Sequence, residues 1–303
     1  MRNVKYYYNK LNEKFIVQRA YFSKKASRPL NFFFIVSCGR SGTTLLRKLL
    51  MNSGVVHIPP ETGDFIVQAS QQYFQHRKKG WYVIVNSIVA LVYTSNDFRY
   101  WNLDSEALKG YLLNIQESER TLQNLILGVY KYHQMLNSPN ATLIGDKTPY
   151  LVLRLEWLKT LFPGAKIIHL VRDSRAVVNS RKSTLNESLE YAVNRWVWSV
   201  KEVFKYKKRL SLLEVKYEDL VNDPKSTLEL ISIYLEMNFT EQFFEDKKIL
   251  LGDDIKPHHK KLNNPITSNE VNKWKSELTR EEISYISTRT QKYLKIYNYP
   301  LDV

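Results

Sequence analysis

The segment that decides the fold is residues 31–54, NFFFIVSCGRSGTTLLRKLLMNSG. The apolar run from Phe32 to Val36 has no polar alternation, which is typical of a strand covered on both faces in a parallel sheet. A glycine-bearing turn follows, and leucines then recur at helical spacing until Asn52, Ser53 and Gly54 end the pattern. A strand, a turn of this kind and a helix N-terminus together direct backbone N–H groups at one anion.

The turn, residues 37–44, differs from the phosphate loop of nucleotide kinases. That loop reads G-x-x-x-x-G-K-[ST], and here Ser37 replaces its first glycine and Thr43 replaces its lysine. Arg40 is the strong cation of the turn, and a guanidinium binds phosphate or sulfate oxygens without a metal. Three interpretations stay open on these residues alone: a metal-free phosphate or phosphosulfate site, a kinase-like NTPase loop, and a turn whose glycines only relieve strain.

Two segments in order resemble one protein family. The turn resembles the 5′-phosphosulfate loop of the sulfotransferases that use 3′-phosphoadenosine 5′-phosphosulfate (PAPS). Residues 170–180, LVRDSRAVVNS, resemble that family's 3′-phosphate motif, in which an arginine and a later serine share the phosphate. The resemblance extends from about residue 31 to about residue 278. It implies a three-layer α/β fold like that of P-loop nucleotide kinases, with a central parallel sheet of about five strands flanked by helices.

The resemblance also implies which residues bind PAPS. The residues expected at the 5′-phosphosulfate are Gly39, Arg40, Ser41, Gly42, Thr43, Thr44 and Lys147. The residues expected at the 3′-phosphate are Arg172 and Ser180, with Lys260 and Lys261 from a C-terminal loop. Tyr217 either lies near the nucleotide or belongs to the core. Three further cations are expected on solvated surface, with the alternative that they add positive field at the site: Arg175, Arg181 and Lys182.

The expected catalytic residues are Glu61, Lys147 and Arg40. In the cytosolic branch of the family a catalytic histidine directly follows a Lys-Thr pair, and here Pro149 occupies that position. Glu61 is then the candidate general base, because its spacing from Arg40 is that between the loop arginine and the catalytic glutamate of the tyrosylprotein branch. The alternatives are that Glu61 caps the next helix and that Lys147 forms an ion pair with Asp146 or Glu61.

Composition adds limits on partners and metals. The chain has 45 Lys and Arg against 30 Asp and Glu, a net charge of +15, which favours an anionic partner or reflects a lysine-rich surface. Cys38 is the one cysteine, so no disulfide framework is expected, and no histidine lies near it in sequence to make it a nucleophile. His258 and His259 lack partners at ligand spacing, so no metal is expected. No nucleic-acid module is recognisable.

The organisation predicted is a single domain over residues 1–303 with an N-terminal extension, residues 1–30. Residues 64–140 predict a helical insertion over the acceptor site. The most apolar window, residues 81–93, would rise about 20 Å as a helix, less than the roughly 30 Å of a bilayer core. No signal-peptide pattern is present. These features predict a soluble, cytoplasmic, prokaryotic protein.

The function expected is transfer of a sulfuryl group from PAPS to an acceptor hydroxyl or amine by in-line displacement, which releases adenosine 3′,5′-bisphosphate. Carbohydrate, lipid, peptide tyrosine and small-molecule acceptors all stay open. One alternative is a P-loop kinase or NTPase that binds ATP with magnesium. The other is a non-enzymatic polyanion binder, whose affinity would fall steeply with salt.

Overall fold

The fold is that of a computed structural model, which describes residues 31–245 and 268–301. Its strands are β1 (Phe32–Val36), β2 (Val56–His57), β3 (Leu143–Lys147), β4 (Lys166–Val171) and β5 (Leu212–Lys216). They form one parallel sheet in the order β2-β3-β1-β4-β5. The predicted α/β fold with about five parallel strands is therefore confirmed.

Helices connect and flank the strands. The α-helices are α1 (Thr43–Asn52), α2 (Phe65–His76), α3 (Trp81–Thr94), α4 (Ser105–Leu113), α5 (Leu122–Asn137), α6 (Leu155–Leu161), α7 (Ser174–Leu185), α8 (Leu189–Tyr206), α9 (Tyr217–Asn222), α10 (Pro224–Leu235), α11 (Trp274–Glu277) and α12 (Arg280–Ile296). Short 3₁₀ helices cover Asn96–Phe98, Glu117–Glu119, Pro149–Arg154 and Glu241–Phe244.

The first strand and helix form as their sequence predicts. All residues of β1 are buried, which suits a strand covered on both faces. α1 ends where the backbone N–H groups of Ser53 and Gly54 donate to carbonyls of its last turn. Gly54 has a φ of 78°, a conformation in which glycine meets no steric penalty.

The chain divides into two compact units. The first contains residues 31–32, Val55–Asp146 and Glu156–Ala165. Helices α2 to α5 fill most of it. Its core is aromatic: the ring centroids of Phe98 and Trp101 lie 4.7 Å apart, and those of Trp101 and Tyr130 lie 5.5 Å apart.

The second unit contains Phe33–Gly54, Lys147–Leu155, residues 166–245 and residues 268–301. Within it β1 pairs with β4 and β4 pairs with β5, in a register that sets Val36 beside His169 and Val171 beside Lys216. The carboxyl ends of these three strands thus lie at one edge of the sheet. The residues that follow the strands, Ser37, Arg172 and Tyr217, start from that edge.

Two helices have bounds other than those that their sequence predicts. The apolar spacing of residues 150–162 predicts one amphipathic α-helix, but the segment begins as the 3₁₀ helix Pro149–Arg154, with Leu151 N donating to Thr148 O. Residues 187–209 predict a long helix, and α8 begins two residues after Glu187, because the Ser188 hydroxyl caps it by accepting from Tyr191 N. Among the residues that the structure describes, no helix has the length and apolar character needed to span a bilayer.

Candidate functional site

The turn between β1 and α1 is a loop with left-handed backbone at three positions. Gly39 has a φ of 83°, Arg40 of 58° and Gly42 of 88°. Positive φ is uncommon in a residue with a side chain, so the conformation of Arg40 is a local cost that other contacts must offset. Gly42 is the N-cap residue of α1, and no side chain caps that helix end. The first N–H groups of α1 have no acceptor within the helix.

Ser37 anchors the loop at its first residue. Its backbone N–H donates to Pro149 O at 3.0 Å, and its hydroxyl accepts from Gly39 N at 2.8 Å. The Ser41 hydroxyl donates to Gly39 O at 3.4 Å. The loop is therefore held by its own hydroxyls and by the segment that follows β3.

Tyr217 packs against the loop from the end of β5. A Cβ atom on Gly42 would lie 2.3 Å from the Tyr217 ring, so the ring rests directly on this glycine. The Arg172 guanidinium carbon lies 4.3 Å from the centroid of the same ring. Burial raises the pKa of Tyr217, although the Arg172 charge opposes this shift, so the phenol stays neutral near pH 7. Tyr217 is thus buried, and it is also part of the wall beside the loop.

Arg172 joins the two segments that resemble family motifs. The side chain is 8% exposed and donates to Arg40 O at 3.2 Å and to Glu270 O. Both acceptors are neutral main-chain carbonyls, so these two hydrogen bonds bring no negative charge to the guanidinium. The buried Nε atom has no hydrogen-bond partner among the described residues. A buried cation of this kind suits an anionic ligand.

Ser180 and Arg40 contact each other directly. Arg40 Nε donates to Ser180 Oγ at 3.1 Å, across 140 residues of sequence. Ser180 lies on α7, the helix that follows Arg172, as the spacing of the second segment predicts. The structure therefore brings Arg40, Arg172 and Ser180 to one place in the second unit.

Lys147 ends β3 in a fully buried position. Two residues later, Pro149 accepts the hydrogen bond from Ser37 at the start of the loop. This contact ties the segment that carries Lys147 to the loop backbone within the second unit.

Glu61 lies in the first unit between two fixed neighbours. Pro60 O accepts from the Trp101 indole at 3.2 Å, and the Thr62 hydroxyl donates to Asp146 Oδ2 at 2.9 Å. Glu61 itself is half-buried. The helix that follows begins at Phe65 with Asp64 at its N-cap position, so Glu61 is not its capping residue.

Tyr130 completes the surroundings of Asp146. Its hydroxyl donates to Asp146 Oδ2 at 2.7 Å. Burial and the neighbouring Asp146 carboxylate raise the pKa of Tyr130 well above its ordinary value. The phenol therefore stays protonated, and Tyr130 and Thr62 donate to the same carboxylate oxygen of Asp146.

Two arginines expected on solvated surface are buried, so that prediction is wrong. Arg175 is fully buried because the Asp173 carboxylate pairs with it at 2.6 Å and the Trp274 ring lies 4.2 Å from its guanidinium carbon. Arg181 is 6% exposed because Glu187 pairs with it. Lys182 is partly exposed and forms an ion pair with Glu282.

The ion pair between Arg181 and Glu187 is not predictable from helical spacing, because Glu187 lies beyond the end of α7. The partner of Arg175 is partly predictable, because Asp173 lies two residues before it at the start of the helix. Asp173 is the N-cap of α7 and its carboxylate accepts from the Arg175 backbone as well as from its side chain.

Cys38 lies inside the second unit rather than at its surface. Burial raises the pKa of its thiol, which outweighs the opposing charge of Arg181, so the thiol stays protonated near neutral pH. This protonation disfavours a nucleophilic role.

Four residues of the sequence predictions, Lys260, Lys261, His258 and His259, lie outside the described residues. Within residues 31–245 and 268–301, no three His, Cys, Asp or Glu side chains gather in an arrangement that could hold a metal ion.

Comparison with known sequences identifies a family. The model of the sulfotransferase family matches residues 33–241, more than half of the chain. Protein-tyrosine sulfotransferase A of Caenorhabditis elegans is 24% identical over 242 residues, which cover 76% of this chain and 56% of that protein. A putative protein-tyrosine sulfotransferase of the same species is 28% identical over 147 residues, covering 45% of this chain and 56% of its own length. The chain thus spans little more than half the length of these relatives.

Solved structures share the fold. The sulfotransferase domain from the Synechococcus PCC 7002 olefin synthase superposes with a TM-score of 0.66 at 24% identity, over 92% of this chain and 98% of that one. The sulfotransferase domain from the curacin biosynthetic pathway gives 0.63 at 19% identity, over 91% and 100%. At these identities the likeness concerns the fold. The family match over residues 33–241 shows that the chain belongs to the sulfotransferase family.

Proposed function

We propose that the chain transfers the sulfuryl group of PAPS to an acceptor hydroxyl or amine. The bond between sulfur and the bridging phosphate oxygen breaks, a bond between sulfur and the acceptor forms, and adenosine 3′,5′-bisphosphate leaves. In-line transfer of this kind asks the protein for alignment and for donors around the developing charge. Arginine and lysine supply that charge in this proposal, in place of a metal ion.

The observation that supports the proposal best is the pair of contacts at Arg40. Its side chain donates to Ser180 Oγ and its carbonyl accepts from Arg172. Both contacts join the loop to the second motif, although the two are far apart in sequence. One nucleotide with phosphates at both ends would explain why these groups converge.

The loop suits the 5′-phosphosulfate. It has left-handed backbone at three positions and leads into the start of α1, where no side chain of the described residues caps the helix and the helix dipole favours an anion. In the proposal the loop supplies the backbone and hydroxyls of Gly39, Arg40, Ser41, Gly42, Thr43 and Thr44. Lys147 adds a cation that stabilises charge on the bridging oxygen.

The surroundings of Arg172 suit the 3′-phosphate. The guanidinium of Arg172 donates to neutral carbonyls, its buried Nε has no hydrogen-bond partner in residues 31–245 and 268–301, and Ser180 adds a hydroxyl within the same group of contacts. Tyr217 would stack beside them. Lys260 and Lys261 stay predicted partners of the 3′-phosphate.

Glu61 is the proposed general base. It would take the proton of the acceptor as the bond to sulfur forms. Its support is the resemblance, together with the hydrogen bonds that hold its two neighbours in the chain, Pro60 and Thr62.

Binding of adenosine 3′,5′-bisphosphate tests the donor assignment. We expect calorimetry to show binding of this product without added metal, and no comparable binding of ATP with magnesium. A preference for ATP with magnesium would favour the kinase or NTPase alternative. Binding only to long polyanions would favour a non-enzymatic polyanion binder. Transfer of labelled sulfate from PAPS to a peptide tyrosine is the first acceptor assay, since the relatives are named protein-tyrosine sulfotransferases.

Glu61→Gln tests the base. We expect kcat to fall by about 10²–10⁴ while the affinity for adenosine 3′,5′-bisphosphate stays within about two-fold, because the base contacts the acceptor and not the nucleotide. Glu119→Gln, an exposed carboxylate in the same unit, is the control and should leave both quantities unchanged. Weakened nucleotide binding with normal kcat would contradict the assignment.

A further inference from the structure

Arg181 is a buried charge in the second unit that the proposed nucleotide contacts do not use. It lies on α7 directly after Ser180 and is 6% exposed. We infer that Arg181 and Glu187 together are positioning residues, which fix the peptide group between Cys38 and Gly39 and so hold the loop in its ligand-binding shape. The functional half of this inference rests on the proposed function.

All three nitrogen atoms of the Arg181 guanidinium donate hydrogen bonds, and they contact two partners, Glu187 and Cys38. Nε and Nη2 donate to the two carboxylate oxygens of Glu187, at 2.6 and 2.7 Å. Nη1 donates to Cys38 O at 2.9 Å. A planar fork can meet both partners at once, whereas the single ammonium of a lysine cannot.

The Cys38–Gly39 peptide group is held at both of its polar atoms. Arg181 binds its carbonyl oxygen, and the Ser37 hydroxyl accepts from its N–H at 2.8 Å. Rotation of this peptide group would break both hydrogen bonds. The orientation of the peptide group is therefore set by α7 as well as by the loop itself.

That orientation decides where the next residues point. Gly39 and Arg40 follow with φ values of 83° and 58°. The Arg40 conformation is costly, so it persists only where neighbouring contacts fix the backbone. Arg181 also lies close to Gly39, since a Cβ there would be 3.1 Å from Nη1. The guanidinium thus forms one wall of the loop.

The ion pair with Glu187 suits Arg181 to positioning the loop backbone and not to binding a phosphate. Glu187 follows Asn186, whose left-handed backbone (φ 51°) ends α7 and turns the chain back toward the helix. A bidentate carboxylate neutralises the guanidinium charge and uses one edge of its fork. Arg181 therefore differs from Arg172, whose acceptors are neutral carbonyls.

The test compares three variants with the wild-type chain. Arg181→Gln/Glu187→Gln removes both charges, so that no buried carboxylate is left unpaired. Arg181→Lys keeps the charge and loses the fork. Lys182→Gln is the control. Lys182 is the next residue of the same helix, and its substitution removes an ion pair with Glu282 that does not involve the loop. Hydrogen exchange of residues 37–42 and of β4 is followed by mass spectrometry, and binding of adenosine 3′,5′-bisphosphate by calorimetry.

We expect amide exchange in residues 37–42 to quicken about ten-fold in the double variant and less in Arg181→Lys, with β4 unchanged. Nucleotide affinity should fall about ten-fold in parallel, while Lys182→Gln matches the wild type. Unchanged loop exchange in the double variant would overturn the inference, as would equal quickening in β4, which reports general destabilisation. If the wild type does not bind the nucleotide, the proposed function fails, and the exchange result still decides the role of Arg181.

Discussion

At the scale of single residues, Gly42 is the place where the loop backbone and the Tyr217 ring are in contact. Two requirements fall on this one glycine: a φ of 88° and the absence of a Cβ, since that atom would lie 2.3 Å from the ring. Gly54, at the end of α1, shares the first requirement with a φ of 78° but has open space where its Cβ would be. Substitution of each glycine by alanine therefore separates the cost of the left-handed backbone, which both positions share, from the cost of displacing the Tyr217 ring, which arises only at Gly42.

Gly42→Ala should lower the free energy of unfolding by about 1–2 kcal/mol for the left-handed backbone and by about 1–3 kcal/mol more for displacement of Tyr217. Affinity for adenosine 3′,5′-bisphosphate should fall at least about ten-fold, because Tyr217 also contacts Arg172. Urea denaturation and calorimetry measure the two effects.

Gly54→Ala is the matched control and should show only the backbone cost, with normal affinity. Equal effects of the two substitutions on affinity would mean that the contact between Gly42 and Tyr217 does not support the site.

The family motifs name Arg40 and Ser180 one by one, but they do not predict the hydrogen bond between the two side chains. Arg175 and Arg181 could not be placed inside, because a buried charge requires a specific partner and the spacing of a helix does not reveal a carboxylate beyond its end.

At the scale of elements, a polar contact joins β5 to α12. Glu214 on β5 accepts from the Tyr297 hydroxyl just after α12, lies 3.2 Å from the Lys207 ammonium and 3.5 Å from the His169 ring. Burial alone would raise the pKa of Glu214, but the contacts with His169, Tyr297 and Lys207 lower it to about 2. The ionised carboxylate therefore stabilises the folded state.

The sign of the pH dependence follows from that shift. The ordinary pKa is 4.5, so the contribution of Glu214 is fully present above about pH 4.5 and is lost as the pH falls toward 2. It amounts to at most about 3 kcal/mol. Glu214→Gln should therefore lower the free energy of unfolding at pH 6 and have a smaller effect at pH 3, as measured by urea denaturation at several pH values.

Glu241→Gln is the control for this measurement, because Glu241 pairs with Lys225 in an exposed position, where ion pairs contribute little. A deficit of the Glu214 variant that is the same at pH 3 and pH 6 would contradict a role for its charge.

Elements with local signals were predictable. Residues 279–282, TREE, have the sequence pattern of a capping box, and both hydrogen bonds of that box are present at the start of α12. The 3₁₀ helix Pro149–Arg154 was missed, because its apolar spacing also fits an α-helix and only the backbone hydrogen bonds distinguish the two.

At the scale of the whole molecule, the sequence predicted a five-stranded parallel sheet and the family, since two motifs in order carry both. It could not predict how the second unit joins these motifs. The hydrogen bond from Arg40 to Ser180 and that from Arg172 to Arg40 O depend on the register of β1 and β4. The net charge of +15 is a weaker guide, because it does not distinguish a nucleotide site from a basic surface.

The central claim is that Arg172 and the loop bind opposite ends of one nucleotide. Calorimetric titration of the wild type and of Arg172→Ala with adenosine 3′,5′-bisphosphate and with adenosine 5′-phosphate tests it most directly. We predict that the wild type prefers the bisphosphate by at least about ten-fold, since charge-assisted hydrogen bonds contribute about 1.5–3 kcal/mol each, and that Arg172→Ala loses most of this preference while its weaker binding of the monophosphate is retained. An equal preference in both proteins would contradict the claim.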